Sequence, residues 1–160
     1  MNEVFISENA RTRRRLESLA AQISDEDLER RLPNGWTVAA VFVHLAFWDF
    51  RQLALLKRWE ETGVSPSPMD VGSVNEAVFA ISAAVPPRTA ARLALTAAEA
   101  VDAKIERLPA DLAAAIEQGG HTRVLTRALH RAAHLDQIEK ALASNPETSV
   151  EPRTNTDGHG

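Results

Sequence analysis

The chain has 160 residues, 44% of them apolar and 25% charged, with a formal net charge of −4 and no cysteine. That length suits one domain with a full core and is short for two. The acidic balance argues against a nucleic-acid binder that relies on overall charge. The lack of cysteine removes disulfides, thiolate metal ligands and a protein thiol nucleophile together.

Ser7 can cap a first helix running to about Gln22, with Leu16 and Leu19 inward and Arg11, Arg13, Arg14 and Arg15 on a wet face. Ser24 opens a short turn that Pro33-Asn34-Gly35 breaks. Thr37 then caps the longest apolar helix, which continues to roughly Thr62 and closes at Gly63. Its buried surface is expected from Val38, Val41, Phe42, Leu45, Trp48, Leu55, Leu56 and Trp59. A loop from Gly63 to Gly72 contains Pro66 and Pro68, and Asp70 or Ser73 can cap a shorter helix through Asn75, Val78 and Ile81.

Pro86-Pro87 interrupts that helix, and Pro87 can begin the next at its first turn. The new helix runs from about Arg88 to Arg107, with Leu93, Leu95, Ala98, Val101, Ile105 and Leu108 as its apolar side. Pro109 starts one more short turn, ended by Gly119-Gly120, and a last helix spans about His121 to Ala143. Val124, Ala128, Leu135, Ile138 and Leu142 form its aliphatic stripe. No strand-like alternation and no internal repeat are evident. The expectation is all-α: an antiparallel four-helix bundle with short connecting helices over 1–143, and a polar, disordered tail over 144–160 that holds His159.

No apolar run approaches the ~20 residues of a membrane span, and the first residues lack a basic-then-apolar export signal. A cytoplasmic protein without membrane or nucleic-acid partners is the default.

The chemistry-bearing stretch is His130-Arg131-Ala132-Ala133-His134, in a run free of glycine and proline. Residues four apart on a helix stand on one strip, so the two imidazoles can form half of a divalent-metal site. They can equally be a plain surface pair. His44 lies in the most apolar stretch and is either a third ligand or a core histidine bonded to a carbonyl. The H-E-x-x-H metalloprotease pattern is excluded, because Arg131 stands where its glutamate belongs. The Glu-x-x-His pairs of di-iron bundles are missing too. What remains is a facial three-histidine site with open positions.

Trp36-Thr37 to His44-Leu45-Ala46-Phe47-Trp48 resembles the W-T…H-L-a-x-W opening of helix two in DinB-like proteins. His130-Arg131-Ala132-Ala133-His134-Leu135-Asp136-Gln137-Ile138 is similar to that family's H-x-x-x-H-x-x-Q-I. Asp70 to Glu76 resembles its D-x-x-N-e stretch. The superfamily includes the metal-binding domain of mycothiol-dependent maleylpyruvate isomerases, whose additional C-terminal domain has no counterpart in this sequence.

The resemblance implies that His44, His130 and His134 hold one divalent cation, Zn or Ni most often, in a bundle that often forms a homodimer. It also implies a metal-dependent thiol transferase or isomerase, joining a low-molecular-weight thiol of the mycothiol or bacillithiol type to a small electrophilic substrate. His121 is the candidate proton-transfer group, or else a loop histidine. Trp48 and Asn75 are candidates for lining the pocket, and Asp49, Asp136 and Gln137 for orienting ligands from behind. Alternatives are metal-hydroxide hydrolysis at the same position and a non-catalytic, stress-related metal- or ligand-binding bundle.

Overall fold

The structure is a computed structural model and describes residues 3–144. The expected tail, with His159, lies outside the described residues. Among the described residues seven α-helices follow in order: α1 Glu3–Gln22, α2 Asp25–Leu28, α3 Val38–Thr62, α4 Val71–Ser82, α5 Pro87–Glu106, α6 Ala110–Gln118 and α7 Arg127–Ala143. No strand occurs among the described residues; Arg31 and Thr37 form an isolated bridge.

Local chemistry sets most of these boundaries. The Thr37 side chain accepts from the Ala40 amide at 3.0 Å and starts α3. Gly63 ends it at φ 82°, a backbone conformation that a side chain would strain. Asp70 caps α4 through the Ser73 amide, and Pro87 occupies the first turn of α5.

Two boundaries differ from expectation. Helix α1 already begins at Glu3, so Ser7 lies inside it. Helix α7 begins at Arg127 rather than His121, after a 3-10 turn over Thr122–Val124. The reason lies in another helix. Asn9 of α1 accepts from the Ala128 amide at 2.9 Å and donates to the Leu125 carbonyl at 2.7 Å, closing the start of α7 from outside.

The four long helices form a ring in which α3 packs on α5, α5 on α1, α1 on α7 and α7 on α3. Their contacts also give direction. Asp49 meets Arg127 and Arg131 while His44 meets His130, so α3 and α7 are antiparallel. Arg13 meets Asp102 and Arg88 meets the Ala20 carbonyl, so α1 and α5 are antiparallel too. Asn9 with Ala128 and Arg15 with Asp136 make α1 and α7 parallel. Helix α4 returns alongside α3, as Trp48–Asn75 and Trp36–Phe79 show, and this return brings α5 into the same direction as α3.

Two apolar clusters occupy the ends of the bundle. One gathers Leu16, Leu28, Phe42, Leu45, Leu135 and Ile138, and the other Leu56, Trp59, Ile105, Ile116 and Leu125. The core face of α5 is mostly alanine: Ala90, Ala91, Ala94, Ala97 and Ala98, followed by Val101 and Ile105. Leu93 and Leu95, expected on that face, are only partly buried. Small residues there leave room for Phe42 of α3, whereas Trp59 packs with Val101 and Ile105 in the other cluster. Helix α3 is long and apolar enough by composition to cross a membrane, contrary to expectation; 72% of its most apolar window is buried inside the bundle.

Candidate metal centre

Between the two apolar clusters lies a layer of buried charge. Asp49 Oδ1 accepts from Arg127 Nε at 2.8 Å, and Asp49 Oδ2 from Arg131 Nε at 3.0 Å. Arg131, fully buried, donates through its other nitrogens to Asp102 at 2.7 and 3.0 Å and to the Asn9 carbonyl at 3.3 Å. Arg13 completes the array at 2.8 Å from Asp102. Each buried charge is thus both paired and hydrogen-bonded, the condition under which such groups are tolerated. Arg13 and Arg15 therefore turn toward other helices, Arg15 binding Asp136 and Glu139, instead of forming a wet face with Arg11 and Arg14.

This layer fixes α3 against α7 at the point where the histidines meet. The candidate ligand atoms of His44, His130 and His134 all lie within 4.8 Å of one another. His44 Nε2 and His130 Nε2 are 3.0 Å apart. Imidazoles sharing a first-row cation at about 2.0–2.1 Å stand about 3 Å apart, so His44 and His130 are at ligand spacing and the three rings could hold one divalent ion. His134 is oriented by its Nδ1, 2.9 Å from Gln137 Oε1, which leaves Nε2 for a ligand. Among the described residues, His44 Nδ1 is buried without a hydrogen-bond partner. His130 Nδ1 is 3.5 Å from Arg127, too long for a good hydrogen bond, so this nitrogen can carry the proton that Nε2 ligation requires.

Electrostatics favours the ligating form. Burial, then the neighbouring His134, lowers the His44 pKa to about 4. Burial, then Arg127, lowers that of His130 to about 2. Burial also lowers His134, partly opposed by its bond to Gln137. All three imidazoles are neutral at pH 7 and can bind a cation without first losing a proton.

The chain belongs to the DinB superfamily. The family model matches residues 8–144. No curated protein and no solved structure matches the chain. The matched span contains His44, His130 and His134, whose convergence forms a site that could hold a divalent metal.

The triad opens onto two recesses. The larger, about 540 Å³, is bordered by Trp48, Gln52, Asn75, Arg123, Thr126 and Arg127 as well as the three histidines. The smaller, about 360 Å³, is bordered by Trp36, Glu76, Phe79 and Gln137. His44, Asn75 and His134 face both. Trp48 and Asn75 thus border the larger cavity, and Trp48 Nε1 donates to Asn75 Oδ1 at 3.0 Å. His121 is placed elsewhere. Its ring lies against Trp59, 5.2 Å between centroids, in a different recess with Arg51, Pro66 and Pro68. The late start of α7 explains this, since residues 121–126 do not continue the helical strip of His130 and His134.

Sequence reading missed Asn9, Asp102, Arg123, Arg127 and Gln52 as residues near the site, and met Arg131 only as a missing glutamate. A signal was present for Arg131, which occupies the same helical strip as Ala128 and Leu135. A charge in the apolar phase of a helix calls for a buried partner.

Proposed function

We propose that the protein is a divalent-metal-dependent enzyme that joins a low-molecular-weight thiol to a small electrophile, by S-transfer or by addition and elimination. The observation that carries this reading is the position of the triad between two cavities that share His44, Asn75 and His134. A bimolecular reaction needs both reactants against one centre, and two adjoining chambers supply that proximity. Zn or Ni suits three imidazoles.

A cation held by His44, His130 and His134 supplies Lewis acidity, which keeps a thiol ionised near neutral pH. The chain's own residues do the rest. Gln137 aims His134, while the Asp49 pairs with Arg127 and Arg131 hold the two ligand helices in register. Trp48 and Asn75 wall the larger chamber, and Trp36 and Phe79 the smaller one. With no cysteine in the chain, the thiol must arrive on a small molecule.

Hydrolysis is less well served. It needs a proton acceptor beside the open side, yet no carboxylate borders the larger chamber, His121 lies in another recess, and only Glu76, at the border of the smaller chamber, is left to serve. The test is incubation of Zn- or Ni-loaded protein with mycothiol, bacillithiol or glutathione and a panel of electrophiles. The expected result is an S-adduct or isomerised product, formed by the wild type and not by His130→Ala. Failure to turn over any pair, with metal bound, contradicts this reading and favours a binding protein.

A further inference from the structure

We infer that the larger chamber is built to take an oxyanion, so that one reactant is a small molecule bearing a carboxylate or phosphate group. This deepens the function proposed above and rests on it in taking this chamber for the substrate's. The argument comes from the polarity of the chamber walls.

Both side-chain amides there have their oxygens already engaged by groups that can only donate. Trp48 Nε1 donates to Asn75 Oδ1 at 3.0 Å, and Arg51 donates to Gln52 Oε1 at 3.1 Å. Neither amide can be flipped without setting donor against donor, so both present NH2 groups as their remaining capacity. Gln52 is only 8% exposed, and among the described residues no protein acceptor meets its Nε2. Arg123 borders the same chamber, and its guanidinium forms no hydrogen bond or ion pair among the described residues. Arg127, by contrast, is held by Asp49 and the Arg123 carbonyl.

No aspartate or glutamate borders this chamber, whereas Glu76 borders the smaller one. One chamber therefore combines a cation unpaired among the described residues, an unmet amide donor and no acidic group. A ligand rich in acceptors and carrying negative charge satisfies all three. At about 540 Å³ the chamber suits a small molecule. The exposed Leu129 and Val71 at its border would lie along an apolar body.

The test is ligand-observed fluorine NMR on the full chain, metal-loaded and after chelation, with para-fluorobenzoate, para-fluorophenyl phosphate and the neutral para-fluorobenzamide. At least one anion is expected to bind about tenfold or more tightly than the amide, and Arg123→Met to lose about tenfold, as expected for one charged hydrogen bond. Arg123→Lys should recover part of the loss. Because the Arg123 side chain makes no hydrogen bond or ion pair among the described residues, the variant's metal content and melting temperature should match the wild type.

The ratio of the two anions identifies which oxyanion the chamber prefers. Equal binding of anions and amide overturns the inference. So does anion binding that is indifferent to Arg123, which would place the ligand on the cation alone. Binding that depends on Arg123 in a protein that retains no metal upholds the oxyanion chamber and removes the metal-dependent function instead.

Discussion

Arg131 Nε stands 3.0 Å from Asp49 Oδ2, joining the residue that follows one candidate ligand to the residue five positions beyond another. His44 and Asp49 share α3, and His130 and Arg131 share α7. The ion pair and the triad thus span the same helix interface, at neighbouring heights. Structure and candidate chemistry are coupled there. A charge that seemed to rule out one metalloprotein motif braces another arrangement.

Removing Asp49 leaves two buried guanidiniums short of a partner. Asp49→Ala is expected to cost about 3–5 kcal/mol, the usual penalty for uncovering a buried charge. Denaturant midpoints measured on metal-free protein check this. A loss under 1 kcal/mol, about that of a surface pair, would mean the interface is wetter than described.

Gln137 acts on the site through His134, not through the fold, because its side chain is exposed and contacts the ring at 2.9 Å. Gln137→Leu is expected to weaken metal affinity by about tenfold to a hundredfold while leaving the melting temperature of the stripped protein unchanged. Competition with a coloured chelator measures the affinity.

His121 packs on Trp59, away from the triad. Accordingly, His121→Ala should retain the wild-type metal content and lose about 1 kcal/mol of stability or less, as expected for removal of a partly buried aromatic contact. Metal loss in this variant would place His121 closer to the site than its ring contact indicates.

Much of the fold was legible because caps and breakers lie where the backbone needs them: Thr37 before α3, Gly63 after it, Pro87 opening α5. The last helix was overextended because its start depends on Asn9, 119 positions away from Ala128, and no local pattern carries that bond. The parallel run of α3 and α5 was hidden for a related reason. Helix α4 exposes most of its apolar surface, including Phe79 and Ile81, so it reads as a connector although it carries the chain back along α3. At the site, the histidine spacing was visible, whereas the donor-only chamber depends on which amide oxygens are occupied, a property of contacts alone.

Acid should destabilise the metal-free protein through the triad. In the unfolded chain these histidines take up protons below their ordinary pKa near 6.5, whereas burial holds His44 at about 4 and His130 lower still. Their contribution is therefore complete above pH 6.5 and is lost progressively as pH falls toward 4. Urea midpoints between pH 7.5 and 4.5 should decline, and the decline should be shallower in His44→Gln. Identical slopes in both proteins would assign the acid sensitivity to other groups.

The most direct measurement is metal bound per chain, by elemental analysis, after equilibration with Zn or Ni and removal of excess. About one equivalent is expected in the wild type, as for a single three-histidine centre, and little in His44→Ala, His130→Ala or His134→Ala. A wild-type protein that is folded and helical yet emerges without metal, or single variants that keep their full equivalent, would contradict the account.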